Sequence, residues 1–265
     1  MSIKLLVSDM DGTLLNEKHK ISSRTVRALR CAMAAGIRMV AATGRAWSSA
    51  SPLLEEAGVP CDAILLNGAE FRRSDGNIIF RESMETGTAR AILQMLSEEH
   101  ADVEINTNIG DFSTNVEFCS QDRPMPEMAW LWDRNPKIQK IFIFSREHAD
   151  LVRIWDKLER FEGISRTTSL AWNIEVTSDK ADKGKMLKRV LRYYAITDKE
   201  VAVFGDGAND RGMLEGFDYS CAMGNSPEAV KGYAKKVIGA CTEDGVAVEI
   251  EHILKRQMGI QNGCL

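Results

Sequence analysis

Two short acidic runs set the chemistry open to this chain. Asp9-Met10-Asp11-Gly12-Thr13-Leu14 follows one apolar run directly, and Gly205-Asp206-Gly207-Ala208-Asn209-Asp210 follows another near the opposite end. Aspartates at i and i+2 project to one side where the chain stays extended, and Gly12 permits the sharp turn that aims backbone N–H groups inward. If both runs lie at strand tips of one parallel sheet, Asp9, Asp11, Asp206 and Asp210 gather in the crevice where such sheets bind ligands. Two unit charges about 4 Å apart repel by roughly 4 kcal/mol at an effective dielectric near 20. A bound cation relieves this. Oxygen donors with no nearby His or Cys point to Mg²⁺ rather than zinc, and Mg²⁺ keeps waters and shares itself with substrate phosphates. The same residues also read as solvated Asx-turns, paired surface charges or a purely structural cation site.

Thr43-Gly44-Arg45 ends a further apolar run, and Lys183-Gly184 opens a helical pattern. A hydroxyl, exposed backbone N–H groups and an ammonium are what a phosphoryl group needs for charge neutralisation. Singly, Thr-Gly-Arg is an ordinary turn and a lysine a solvated charge. Their force is joint, since each sits where a strand or the intervening segment ends.

Positioning these residues requires a parallel sheet. Ile3–Val7 reads as a short buried strand, and a helix opens at Ser22 or Ser23 with Val26, Leu29 and Met33 at helical spacing. Gly36 stops it, and Ile37–Ala42 is a second strand. A helix ending near Gly58 and a strand at Ala63–Leu66 repeat the unit, so the connections are right-handed parallel crossovers. Val201–Phe204 and Tyr219–Met223 continue the pattern, and Ser226-Pro227-Glu228 reads as N-cap, first-turn proline and helix.

Between these stretches the pattern changes. Helices are expected at Thr88–Glu99 and Glu147–Phe161, with strands at Val103–Thr107, Lys137–Phe144, Ile164–Thr168 and Asn173–Val176. Four of the five tryptophans fall here, and Trp130, Trp132 and Trp155 are expected to build the segment's own core. The fold expected is α/β, a Rossmann-like parallel-sheet core (1–82 and 183–265) interrupted by an inserted α+β cap domain (83–182).

With 265 residues, 44% hydrophobic and 27% charged, the composition is that of a globular protein of one or two domains. A net charge of -4 gives no broad positive field for nucleic acid or anionic lipid. The six cysteines lack metal-type or framework spacing, so reduced thiols are expected. The only early apolar stretch is broken by Lys4 and is far short of a signal or membrane segment, so a cytoplasmic location is expected, with no membrane partner. The first strand–helix turn has no GxGxxG, which excludes a Rossmann dinucleotide fingerprint.

DMDGTLL, ATGR, DKGK and GDGANDRGML stand in the order of the four motifs of the haloacid dehalogenase-like superfamily, and the chain resembles its Cof-type phosphatases, with NGAEF and AMGNSPEAVKGYA similar to that subfamily as well. Lysine followed by glycine selects Lys183 over Lys180 for the third motif. Arg211 departs from the apolar residue usual after Asn-Asp. The resemblance implies that Asp9 is a nucleophile forming an aspartyl-phosphate and Asp11 the acid/base. It implies Mg²⁺ held by the Asp9 side chain, the Asp11 backbone carbonyl, Asp206 and Asp210. Met10 and Gly44 backbones, Thr43, Lys183 and Asn209 would cradle the phosphoryl group; Asn209 also reads as a helix N-cap. The substrate expected is a small phosphorylated metabolite such as a sugar phosphate, nucleotide or phosphorylated cofactor, handled by a monomer or homodimer. Arg45, Asn67 and Glu70 in the core, and Asn106, Asn108, Arg123, Trp172 or Glu175 in the insert, are candidates for meeting the leaving group. A phosphomutase and a non-catalytic phosphometabolite-binding protein are the alternative readings.

Overall fold

The structure is a computed structural model that describes residues 2–117, 123–168 and 171–258. It opens with β1 (Leu5–Ser8), all four residues buried. Helix α1 (Ser23–Ala34) follows, capped by the Ser22 side chain, which accepts from the Thr25 N–H. Its buried stripe is Thr25, Ala28, Leu29 and Ala32, so the expected stripe is one residue out of phase at its end and Met33 faces outward, 39% exposed. β2 (Arg38–Ala42), α2 (Trp47–Glu56) and β3 (Asp62–Leu65) complete the repeat. Two strands not foreseen, β4 (Glu70–Arg72) and β5 (Ile78–Arg81), extend the sheet. β4 runs antiparallel to β3.

The next segment starts with α3 (Thr86–Glu98), two residues ahead of the expected start because the Glu85 carboxylate serves as its cap, accepting from the Thr88 N–H. Strands β6 (Asp102–Thr107), β7 (Gly110–Ser113) and β8 (Arg123–Pro124) precede a short helix, α4 (Met128–Asp133). Then come β9 (Ile138–Phe144), α5 (His148–Leu158), β10 (Ile164–Thr167) and β11 (Asn173–Ser178). They form a six-stranded sheet in the order β10-β11-β9-β6-β7-β8. Ile92 and Leu96 of α3 and Leu151, Ile154 and Leu158 of α5 pack with Val103, Ile105, Ile141, Ile143, Ile174 and Val176, and Trp132 and Trp155 lie against that cluster. α5 ends three residues before Phe161, in a turn closed by the Phe161 N–H on Leu158 O.

The chain then returns through α6 (Lys183–Tyr194), β12 (Val201–Gly205), α7 (Arg211–Gly216), β13 (Tyr219–Ala222), α8 (Glu228–Lys231), β14 (Lys236–Val237) and α9 (Gly245–Met258). Ser226 is not the cap of α8: Pro227 takes that place, while the Ser226 N–H closes a turn on Met223 O. The core sheet runs β14-β13-β12-β1-β2-β3-β4-β5. From β14 to β3 every pair is parallel. β1 and β12 are therefore neighbours although they come from opposite halves of the chain, and their C-terminal tips open at one edge.

By contacts the chain divides into two units, one of Met1–Ile79 with Asp182–Leu265 and the other Phe80–Ala181. The first junction thus falls within β5 rather than after residue 82. Among the described residues no helix is long and apolar enough to cross a membrane. Cys31, Cys61, Cys221 and Cys241 are free thiols, and Cys119 and Cys264 lie outside the described residues.

Candidate active site

Four neighbouring parallel strands deliver the polar residues of the core. The loop after β1 carries Asp9 to Thr13, that after β2 Thr43 to Arg45, that after β3 Leu66 to Gly68, and that after β12 Asp206 to Asp210. Lys183, the first residue of α6, is set by Asp182, whose side chain accepts from the Lys185 N–H.

Lys183 is fully buried and its Nζ lies 2.6 Å from Asp9 Oδ1 and 2.7 Å from Asp210 Oδ1. Asp210 Oδ2 accepts from the backbone N–H groups of Asp206 and Gly207, each at 2.9 Å. Both Asp210 oxygens are thereby engaged in holding the loop and the lysine. Asp206 Oδ1 accepts from the Thr13 hydroxyl at 2.8 Å, which ties the two acidic loops together. Gly12, at φ +76°, fits against Asp206 so tightly that a Cβ would overlap its carboxylate. One carboxylate oxygen from each of Asp9, Asp206 and Asp210 falls within 4.8 Å of the others. Three carboxylates against one ammonium leave this cluster strongly anionic.

Titration behaviour follows from burial together with that imbalance. Burial pushes the Asp9 carboxyl well above the usual carboxylate range, opposed by Lys183 and reinforced by Asp210 and Asp206. Burial also lifts Asp206, to about 6, with the Thr13 hydroxyl working the other way and Asp210 adding repulsion. For Lys183, burial works against the charge, but Asp210 and Asp9 outweigh it and hold the ammonium above its ordinary value. These directions describe a pocket whose carboxylates carry an uncompensated negative charge when ionised.

Asp11 stands apart from this cluster. Its side chain is 46% exposed, and Arg45 grips it in two hydrogen bonds, Nε to Oδ2 at 2.7 Å and Nη2 to Oδ1 at 2.6 Å. A planar guanidinium on a carboxylate fixes the orientation of both groups. Arg45 is thus brought to the acid/base candidate, not left as a side chain pointing at a ligand. Thr43 is buried, its hydroxyl accepting from the Arg45 N–H at 3.1 Å. Asn209 donates from Nδ2 to Asn67 Oδ1 at 3.0 Å and does not cap α7, whose N-cap is Asp210. Glu70 is buried against Arg72, at 2.7 Å, and the Arg72 guanidinium lies over Trp47.

In the insert, Asn106 and Glu175 lie on the sheet face opposite the apolar cluster, as the pleat requires for alternate residues. Glu175 pairs with Lys140 at 3.0 Å, both buried, and accepts from Asn173 at 3.3 Å. Asn106 donates to Glu104 at 3.0 Å, and its Oδ1 is buried with no hydrogen-bond partner. Asn108 and Arg123 are instead spent on local structure: Asn108 Oδ1 accepts from the Lys137 N–H at 2.6 Å, and Arg123 donates to Ile109 O at 2.6 Å. Trp172 packs edge-on to Phe142, and Trp130, 38% exposed, lies beneath Arg134.

Thr13 has no role in the sequence pattern beyond its motif, and Asn225 has none. Yet Thr13 holds Asp206, and the Asn225 amide bridges Gly12 O at 2.9 Å and the Cys241 N–H at 2.9 Å. The Asn in the AMGNS stretch was the available signal for the second.

Comparison with known proteins places the chain. The haloacid dehalogenase-like hydrolase family matches residues 6–250. Phosphatase YwpJ of Bacillus subtilis is 30% identical over 95% of this chain and 100% of its own length. The 5-amino-6-(5-phospho-D-ribitylamino)uracil phosphatase YwtE of the same organism is 26% identical over 96% of this chain and 99% of its own. A solved haloacid dehalogenase-like hydrolase from Bacillus subtilis superposes with a TM-score of 0.85 at 29% identity, covering 94% of this chain and 99% of that one. The chain belongs to the haloacid dehalogenase-like hydrolase family, among its Cof-type phosphatases. Its class is phosphoric monoester hydrolase.

Proposed function

We propose that the chain hydrolyses phosphate monoesters of small metabolites through an aspartyl-phosphate on Asp9, with Mg²⁺ as cofactor. The observation that carries this is the buried Lys183 ammonium bridging Asp9 and Asp210 beside Asp206, all at the tips of β1 and β12 or the start of α6. A cation fixed against a carboxylate at a strand tip orients that carboxylate and neutralises an arriving anion. The all-oxygen donor set of Asp9, Asp206 and Asp210, anionic beyond what Lys183 offsets, fits a hard divalent cation, and the Asp11 carbonyl is a further candidate ligand. When bound, Mg²⁺ would supply charge neutralisation at the phosphoryl oxygens.

In the first step an Asp9 carboxylate oxygen attacks phosphorus as the bond to the ester oxygen breaks, and Asp11 delivers a proton to the departing alkoxide. In the second, Asp11 takes a proton from water as that water attacks the aspartyl-phosphate, releasing phosphate and restoring Asp9. Thr43, the Met10 and Gly44 backbones, Lys183 and Asn209 hold the phosphoryl oxygens. Arg45 keeps Asp11 oriented between the two steps. Asn106, with its buried acceptor unpartnered, and Glu175 are candidates for recognising a leaving group that carries hydroxyl or amino donors. The relative YwtE, named for a phosphorylated ribitylaminouracil, supports a polyol-bearing substrate class. A cytoplasmic location accords with such substrates.

The test is phosphate release from a panel of monoesters, with and without Mg²⁺, by the parent and Asp9→Asn in parallel. Mg²⁺-dependent release that Asp9→Asn loses is the expected result. No release from any ester by a folded parent overturns the proposal.

A further inference from the structure

Leu66, Asn67 and Gly68 are three consecutive residues of positive φ, at +52°, +56° and +97°. Asn visits this region because a short polar side chain can bond locally, but a leucine there is uncommon. Such backbone persists only where its surroundings over-determine it. Three parts of the site do so here. The Asn67 N–H donates to Thr43 O and the Leu66 N–H to Arg45 O, each at 3.1 Å, fixing both ends of Thr43-Gly44-Arg45. Gly68 abuts the backbone of Asp182 so closely that a Cβ would overlap it, and Asp182 caps the helix that carries Lys183. On the third side the Asn209 amide donates to Asn67 Oδ1 at 3.0 Å.

An amide nitrogen has two N–H donors. Anchoring one of them on Asn67 fixes the plane of the Asn209 amide and directs the other donor. The Asn67 side chain is itself buried, with its acceptor committed within the core.

We propose that Asn67 is a positioning residue for the phosphoryl site, holding the Asn209 amide and the Thr43–Arg45 loop in one frame, and that it does not read the leaving group. The inference rests on the phosphatase reading above. It replaces the expectation that Asn67 sets specificity, and it makes the 66–68 loop the brace on which three phosphate-binding elements converge.

The experiment uses the full chain with Mg²⁺ and three phosphate monoesters whose leaving groups differ in size, with inorganic phosphate as inhibitor. Asn67→Gly removes the acceptor and relaxes the backbone, while Asn67→Ala removes the acceptor and keeps the strain. Both should lose about tenfold in kcat/KM, the effect of one hydrogen bond, by the same factor for every ester. The inhibition constant of phosphate should rise in step. In Asn209→Ala background, adding Asn67→Ala, which keeps the backbone frame, should cost less than about twofold, because the two side chains act as one unit. A loss that differs between esters, additive losses, or undiminished activity in both variants overturns the proposal. A folded parent that hydrolyses none of the esters instead sinks the phosphatase reading beneath it.

Discussion

In the core sheet the candidate site residues sit at strand tips, whereas in the insert the buried polar residues lie along a strand face. Asp9, Thr43, Asn67 and Asp206 each follow the last residues of a parallel strand. In the insert, Glu104, Phe142 and Glu175 share one cross-strand row and Asn106, Lys140 and Thr177 the next. A strand tip presents consecutive residues and backbone N–H groups, which suits a small, highly charged group that must be held the same way every time. A face presents every second residue of several strands, so its character changes by substitution without altering the backbone. On this contrast we propose that the core performs one chemistry and the insert selects among leaving groups.

The harshest trial of that division is Asp9→Asn. It should abolish turnover of every ester, by at least about 10³-fold, with the thermal transition preserved. Measurable residual turnover on any one ester would show that the nucleophile is not shared. Lys183→Met comes next. It leaves Asp9 and Asp210 buried without their cation, and equilibrium denaturation should report a loss of about 3–5 kcal/mol.

A milder test uses pH. Burial raises Asp206 to about 6 from the ordinary aspartate value of 3.8. In the metal-free fold this contributes stability that is complete below about 4 and lost as pH rises through about 6, because the folded state holds the proton more tightly. Cation binding demands the ionised form, so its linkage runs the other way. Melting with and without Mg²⁺ should therefore show little difference at pH 5 and a gain of about 2.7 kcal/mol at pH 7.5 when Mg²⁺ is 100-fold above its Kd. An equal gain at both values would remove Asp206 from the binding set. The smallest effect belongs to the insert face. Glu175→Gln should reorder the ester panel by up to about tenfold between best and worst, with no common loss. A uniform decline would erase the distinction between tip and face.

The strands of the core sheet were readable because buried parallel strands are continuous apolar runs, as in Leu5–Ser8 and Val201–Gly205, and the acidic runs follow them directly. That few residue types can handle a phosphoryl group made Asp9, Lys183 and Asp206 visible as motifs. What the sequence hid has specific causes. Helix α4 is too short to show a helical period, and prolines flank it at 124, 126 and 136. The cap of α3 is a glutamate, outside the usual N-cap set. Asn67 and Asn209 are 142 residues apart, and no local pattern announces their bond. Arg45 on Asp11 is hidden in the same way, at a separation of 34.

The adjacency of β1 and β12 also governs how the protein is made. Thr13 and Asp206, whose bond joins the two acidic loops, are 193 residues apart. On a ribosome adding roughly 5–20 residues per second, the first acidic loop therefore waits on the order of ten seconds or more for its counterpart. During that interval β1 lacks one of its two neighbours, and Asp9 lacks the lysine and aspartate that later enclose it. On the proposed mechanism its carboxylate stays hydrated until the C-terminal half arrives, and a nascent chain is inactive however well its first segment has folded. Truncation or proteolysis that removes α6 and β12 would return the molecule to that state.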